Sequence, residues 1–464
     1  MYTEFLELCG FQPEEIKSES PRIHRAFERF GIGADDIEQG IFRIKEYYAV
    51  ELQGIRRLLG VWVRELVDTA LAGEEKRKII YGEWPGAHLV LMMGAIHEIK
   101  DVHFAAPVSH TFMIVLGGIF DKLAPILEAG EDSGLPAGSA HCGLWQMHVG
   151  AIAKELIPKP DLILTSAYIC DQAAEADQLL ENWYGLPVAY LDGCLDWQWG
   201  DGTGTRQVEY VSKKLDKMRT KIEEVTGRDL SEEAAKAGIK DMATNFNYFK
   251  QLTQLMTQAD PQPISQANLD LVYLALFTPI QHRAELNEAT RLLVKELSQV
   301  IKDGKGVVPK GAPRIYITFR HANQPQVYKT IQDMGLATPI CMLDWLPPRP
   351  EGEAQFSEPI HRIVQAIYRS APVCSSFSNV RYNVEVCKAH KVNGIIIFFP
   401  FSCRPFAINP LMIRQAIQNE LGIPAIVMEY GGYDYRDYPA EQMKTRIETF
   451  AELVKVYGIT SRNG

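Results

Sequence analysis

Residues 160–193 read PDLILTSAYICDQAAEADQLLENWYGLPVAYLDG, and residues 393–432 read NGIIIFFPFSCRPFAINPLMIRQAIQNELGIPAIVMEYGG. Each opens on a short apolar run bounded by turn residues, the pattern of a strand buried on both faces. In each, that strand runs into a cysteine, Cys170 or Cys403, and a helix follows. Gly185-Leu186-Pro187 or Gly422-Ile423-Pro424 then turns the chain into a second strand, which ends at Asp192 or Glu429. The cysteine precedes the turn proline by 17 residues in the first stretch and by 21 in the second. Strand, helix and strand in this order make the unit of a parallel sheet. The shared punctuation implies a duplicated unit, and the predicted fold is α/β, with two similar Rossmann- or flavodoxin-like parallel-sheet lobes.

Working outward, RKIIYGEW supplies a strand ahead of the first unit, and RIYITF and TPICML supply strands ahead of the second. The segments EEIKSESPRIHRAFERFG and DDIEQGIFRIKEYYAVELQGIRRLLGVWVRELVDTAL place apolar residues at threes and fours, which predicts a helical lead-in over 1–75. The first lobe then covers 76–230. Amphipathic helix returns with RQVEYVSKKLDKMRTKIEEV, stops at Gly227 and resumes at the acidic cap Leu230-Ser231-Glu232-Glu233. A helical connector over 231–309 ends in the turn-rich KDGKGVVPKGAP, and the second lobe covers 310–464, closing with a helix near 439–457.

A chain of 464 residues is too long for one hydrophobic core, in keeping with two lobes. Its net charge of -10 disfavours a nucleic-acid binder, and eight cysteines are too few for a disulfide scaffold. Mean hydropathy is -0.12, and no run of ~18 uncharged apolar residues offers a membrane span. The acidic start MYTEFLELCGFQPEEIKSES lacks the features of an export signal, which places the protein in the cytoplasm.

No two of the cysteines form a C-x-x-C pair, so zinc ribbons and ferredoxin runs are excluded by spacing. In open parallel sheets, ligands bind outside the carboxyl ends of the strands, where Cys170 and Cys403 stand. A helix N-terminus lowers a thiol's pKa and favours the metal-binding thiolate. Cys142, in HCGLWQMHVGAIAKEL, follows Gly138-Ser139 at a helix start and is the natural third member. Three thiolates from two lobes can close on one soft centre, zinc or iron-sulfur, with one position open for chemistry.

The stretches HCGLW, PDLILTSAYICDQ, EEVTGRDLSEE, KVNGIIIFFPFSCRPF and IPAIVMEYGGYDYRDY, in that order, bring a family into view. From about Lys76 to Val454 the sequence resembles the 2-hydroxyacyl-CoA dehydratase and ATP-dependent benzoyl-CoA reductase family of anaerobes. The resemblance implies a pair of homologous subunits, each holding a 4Fe-4S cluster on three cysteines, matched here by Cys142, Cys170 and Cys403. It also implies a separate ATPase activator that delivers an electron of very low potential to a coenzyme A thioester. In the dehydratases the product is a ketyl radical that loses hydroxide; in the benzoyl-CoA reductases electrons and protons enter the aromatic ring. The dehydratases carry Pro-x-Glu six residues before a glycine after the first strand of this lobe. Here WPGAHLVLMMG puts His88 at that distance from Gly94. A histidine can donate a proton near neutral pH, which suits ring reduction; the alternative for His88 is a packed helix residue.

Cys194 follows a strand end and reads as structural, Cys341 lies inside TPICML, and Cys9, Cys374 and Cys387 carry no assigned role. Trp145, Trp197 and Trp199 could wall an acyl pocket or simply pack, and Arg404 could offset a cluster's charge or lie on the surface. Neither a dinucleotide-binding nor a P-loop glycine motif occurs, so ATP hydrolysis falls to a partner. The leading reading is the iron-sulfur catalytic subunit of an aryl-CoA reductase. A 2-hydroxyacyl-CoA dehydratase subunit is the alternative within the family, and an electron-carrying or scaffold subunit is the alternative of another class.

Overall fold

The computed structural model describes the chain except residues 76, 84–87, 107, 137–140, 168–169, 194–204, 277, 279–280, 345–355, 371–374, 437–438 and 461–464, and the side chains of 366–370 and 458–460. Helices α1 (Tyr2–Leu8), α2 (Pro13–Arg29), α3 (Ala34–Tyr47) and α4 (Gln53–Leu71) come first. A capping box closes the start of α2, where the Gln12 amide meets Glu15 at 2.8 Å. Helix α4 is amphipathic: its broad apolar face is buried, and Arg56, Arg57, Arg64 and Asp68 lie along the less buried side.

The first lobe runs β1 (Lys78–Gly82), α5 (His88–Glu98), β2 (Val102–Ala105), α6 (Val108–Thr111), α7 (Ala124–Asp132), α8 (Gly143–Ala153), β3 (Leu162–Ser166), α9 (Asp171–Tyr184) and β4 (Val188–Leu191). Helix α10 (Thr205–Thr226) follows within the first lobe, and the connector holds α11 (Glu232–Gln258), α12 (Gln266–Tyr273) and α13 (Arg283–Lys302). The second lobe runs β5 (Arg314–Ile317), α14 (Gln326–Asp333), β6 (Ala337–Cys341), α15 (Pro359–Ser370), α16 (Ser376–His390), β7 (Gly394–Pro400), α17 (Arg404–Ala407), α18 (Pro410–Leu421), β8 (Ala425–Tyr430) and α19 (Ala440–Thr460).

Both sheets are parallel, with the orders β2-β1-β3-β4 and β6-β5-β7-β8. The four positions correspond one to one: the duplicated sequence unit accounts for β3 and β4 against β7 and β8, while β2 is a strand the sequence reading missed. In each sheet the winding direction reverses between the first and third strands, β1 and β3 or β5 and β7. Loops diverge at that switch point, which is where open α/β sheets bind ligands. Strand β3 is buried at all five residues, as a strand covered by helices on both faces must be.

The connector is welded to its neighbours by two different means. Gly94 of α5 and Gly238 of α11 let the two helix backbones touch, since a Cβ on Gly238 would fall 2.8 Å from the Gly94 nitrogen. On the other side, Arg320 after β5 is 2% exposed and pairs with Asp270 of α12 at 2.6 Å and with Asp344 after β6. Its guanidinium lies 3.9 Å from the Tyr273 ring centre, and the Tyr328 hydroxyl donates to Asp270 at 2.8 Å. Burial lifts the Asp270 pKa above the usual carboxylate value, while Arg320 pulls it back.

Replacing Arg320 by Leu strands two buried carboxylates. The expected cost is about 3–5 kcal/mol of stability, the range for removing one partner of a buried ion pair. Urea denaturation monitored by circular dichroism measures it, and a midpoint equal to that of the parent chain would show that the pair holds nothing together.

Candidate functional site

Each of the three cysteines singled out in the sequence is the residue immediately before a helix. Cys142 (φ -72, ψ 141) precedes α8, Cys170 (φ -132, ψ 110) precedes α9, and Cys403 (φ -97, ψ 97) precedes α17. This extended N-cap position usually carries an oxygen side chain that accepts from the helix's first free N–H groups. Here sulfur stands in its place, and the backbone N–H groups of Leu144, Ala173 and Phe406 act on the three thiols in turn.

The loops bearing them meet across the two lobes. The Gly143 amide donates to the Gly432 carbonyl at 3.1 Å, and the Cys142 thiol lies 3.6 Å from the same oxygen. A Cβ on Gly143 would sit 2.9 Å from the Asp434 nitrogen, so glycine is needed for the approach. The Gln172 side chain accepts from the Cys142 amide at 3.2 Å and donates to the Ser402 carbonyl at 3.1 Å. Arg404 lies on the surface, as one of its two sequence readings had it, and there it pairs with Asp171, next to Cys170, and with Glu175 at 3.4 Å.

The thiols do not have the lowered pKa that their helix starts predict. Burial pushes Cys142 up to about 12 and Cys170 up to about 11, and desolvation of the sulfur holds Cys403, a residue that is itself partly exposed, well above the ordinary thiol value. Desolvation of a thiolate outweighs a few helix-end N–H groups. The sulfurs also raise one another: Cys142 feels Cys170, and Cys403 feels both. Three soft donors so placed suit a thiolate-bound metal, which would replace the proton that burial keeps on each sulfur. Among the described residues, no three His, Cys, Asp or Glu stand together compactly enough to hold a single metal ion.

Aromatic rings close the second-lobe side. Phe319 meets Phe406, Tyr430 and Tyr433 with ring centres 5.5, 5.3 and 5.2 Å away, and His321 lies 5.1 Å from Tyr430. Cys142 and Cys403 both act on the Tyr430 and Tyr433 hydroxyls, which burial holds far above the usual phenol pKa. On the first-lobe side the buried Trp145 indole acts on the Cys170 thiol. Trp197, Trp199, Cys194, Cys374 and Gly138-Ser139 lie outside the described residues. Cys9, Cys341 and Cys387 are free and buried in the core.

His88 opens α5 at the carboxyl edge of β1 and is fully buried. Among the described residues neither ring nitrogen has a close hydrogen-bond partner, and burial lowers its pKa to about 3 against a smaller opposing pull from the Glu83 backbone. The ring is therefore uncharged at neutral pH, in place of the charged acid form that its unperturbed pKa would allow.

A group that the sequence did not point to lies behind the thiols. His148, on the second turn of α8, is fully buried between Glu83, one residue past β1, at 3.2 Å and Asp177 of α9 at 3.3 Å. Ser109 donates to Glu83 through its hydroxyl at 2.8 Å and its amide at 3.2 Å. The two carboxylates overcome the burial penalty and raise the His148 pKa to about 10. The signal in the sequence was a histidine, two residues after Gln146, in the mostly apolar run GLWQMHVGAIA.

The 2-hydroxyglutaryl-CoA dehydratase D-component family matches residues 102–454. The chain is 22% identical over 302 residues to the (R)-2-hydroxyglutaryl-CoA dehydratase alpha subunit of Acidaminococcus fermentans, covering 64% of this chain and 61% of that one. It is 20% identical over 354 residues to the (R)-phenyllactyl-CoA dehydratase alpha subunit of Clostridium sporogenes, covering 75% and 84%. With a benzoyl-CoA reductase subunit of Thauera aromatica it shares 23% over 323 residues, covering 64% and 71%.

The pH dependence of stability tests the His148 ion pairs. Because its folded pKa of about 10 exceeds the unfolded value near 6.5, the folded state binds this proton more tightly. The stabilisation is complete below about pH 6.5 and is lost as pH rises toward 10, at no more than about 1.4 kcal/mol per pH unit. Urea midpoints taken from pH 6 to 10 should fall more steeply for the parent than for His148→Gln. Parallel curves would contradict a buried imidazolium.

Proposed function

We infer the function from a premise that the match over residues 102–454 supplies: the chain belongs to the 2-hydroxyglutaryl-CoA dehydratase D-component family. The relatives are named for coenzyme A thioesters, and three of four such names are those of dehydratase alpha subunits. The proposal is an iron-sulfur catalytic subunit of an ATP-dependent benzoyl-CoA-type reductase, which reduces the ring of an aryl-CoA thioester one electron at a time. Its partners are a homologous second subunit and an ATPase that donates the electron. Among the described residues, no helix is long and apolar enough to cross a membrane.

The observation that carries the proposal is the meeting of Cys142, Cys170 and Cys403, from both lobes, at the carboxyl edges of the sheets. The three thiols would hold a 4Fe-4S cluster, whose usual protein ligands are cysteine thiolates. When bound, the cluster would supply low-potential electrons one at a time. The protein's own part is placement. The free N–H groups at three helix starts face the negative charge of the thiolates. The ring layer of Phe319, Phe406, Tyr430 and Tyr433 keeps water from a reduced thioester. A neutral His88, at the carboxyl edge of β1, holds an N–H that would donate to the thioester oxygen as an uncharged electrophile does.

Dehydration of a 2-hydroxyacyl-CoA is the second reading, favoured by the dehydratase names among the relatives. In that reaction the same electron makes the carbonyl a ketyl radical anion, which expels the adjacent hydroxyl as hydroxide; the next carbon then gives up a proton and the electron is returned, so that water is lost overall and an enoyl-CoA is left.

Protein purified without oxygen should contain iron and sulfide, and Cys170→Ser should lose both; a parent chain containing only zinc would overturn the proposal. With the ATPase donor present, a ring-reduced diene from benzoyl-CoA supports the reductase, and an enoyl-CoA from a 2-hydroxyacyl-CoA supports the dehydratase. A cluster whose spectrum ignores both thioesters points to an electron-carrying role instead. His88→Leu is expected to lower kcat about 100- to 1,000-fold with KM little changed, the loss typical of one donor to a developing oxyanion.

A further inference from the structure

We propose that Gln172 is a positioning residue that sets the spacing of the three thiols across the two lobes; this rests on the reading that Cys142, Cys170 and Cys403 hold a cluster. Gln172 stands two residues after Cys170, on the first turn of α9, and is fully buried. Its Oε1 accepts from the Cys142 amide at 3.2 Å. Its Nε2 donates to the carbonyl of Ser402, the residue before Cys403, at 3.1 Å. One side chain, rooted beside the first thiol, is thus bonded to the backbone of the second and to the residue preceding the third.

The chemistry leaves little choice of residue. The Cys142 N–H can only donate and the Ser402 carbonyl can only accept, so the spacer must end in one acceptor and one donor. This also fixes which end of the Gln172 amide is oxygen. Glutamate keeps the acceptor but turns a second acceptor on Ser402, and leucine keeps the bulk but offers neither. Because the site is buried, each lost partner leaves an unsatisfied backbone group. The Ser402 hydroxyl is itself tied down, donating to Gly431 at 3.0 Å. Gln172 therefore braces a loop that is already held on its far side, and Gly431 adjoins the Gly432 carbonyl that receives the Gly143 amide.

The test compares the full-length parent chain with Gln172→Leu and Gln172→Glu, each purified without oxygen and supplied with iron and sulfide. Retention of iron against a chelator is expected to fall about 10- to 100-fold in Gln172→Leu, the usual cost of losing a group that orients metal ligands. Gln172→Glu should keep more iron than Gln172→Leu, with an altered electron paramagnetic resonance signal. Far-ultraviolet circular dichroism should show the parent's helix content in both, with melting lowered by the lost buried hydrogen bonds. Parent-like retention and spectra in both variants would overturn the role of Gln172 and leave the cluster reading standing. If the parent itself takes up no iron, the cluster reading fails, and the positioning role is then judged on the metal-free protein by dibromobimane cross-linking of Cys142 to Cys403. A cross-link in the parent that is lost in Gln172→Leu supports it, and equal yields, or none in the parent, overturn it.

Discussion

The Gly143 amide donates to the Gly432 carbonyl across 3.1 Å, backbone against backbone, and the site is arranged around that contact. It joins the start of α8 in the first lobe to the loop after β8 in the second. No side chain intervenes, because a Cβ on Gly143 would collide with the Tyr433–Asp434 peptide. Gly432 in turn has φ +57, a conformation that favours glycine, and a Cβ there would lie 2.5 Å from the Ser402 hydroxyl oxygen. Two glycines from opposite ends of the chain thus allow Cys142 to reach the loop that carries Cys403.

Parallel sheets make such a meeting natural. Every strand of a lobe ends at the same edge, so the loops and helix starts that carry polar chemistry collect there. With the same strand order in both lobes, the two edges present corresponding parts: β3 leads to Cys170 and α9, and β7 leads to Cys403 and α17. Cys142 breaks the correspondence, since it precedes α8, which enters β3. The duplication thus supplies two of the three thiols in equivalent places, and the third is particular to the first lobe.

Much of this was legible in the sequence because the signals were local. Short apolar runs ending in turn residues gave the strands, and a cysteine directly before a helix marked Cys170 and Cys403. What stayed hidden depended on distance along the chain or on burial. Glu83, His148 and Asp177 come from three separate elements, and nothing adjacent to any of them announces an ion pair. Gln172 reads as an ordinary polar residue in an acidic helix start until Ser402, 230 positions away, is placed beside it. A helix start does favour the thiolate, but desolvation, which the sequence does not display, proves the larger effect.

That reversal bears on how charge is managed at the site. A buried thiol that keeps its proton adds no charge, and so costs the folded chain little when no metal is bound. Once a metal takes the proton's place, negative charge must be met by what is already fixed nearby. The helix-end N–H groups at Leu144, Ala173 and Phe406 are such fixed dipoles, and they need no rearrangement to act. The His148 cation lies farther back, but its charge is committed to Glu83 and Asp177 and is not spare. Arg404, half exposed, is likewise engaged by Asp171 and Glu175. The thiols therefore depend on dipoles more than on formal charges. Dipoles act over short range and in fixed directions, which makes the exact relative placement of the three helix starts, and the hydrogen bonds that hold them, the quantity on which the chemistry turns.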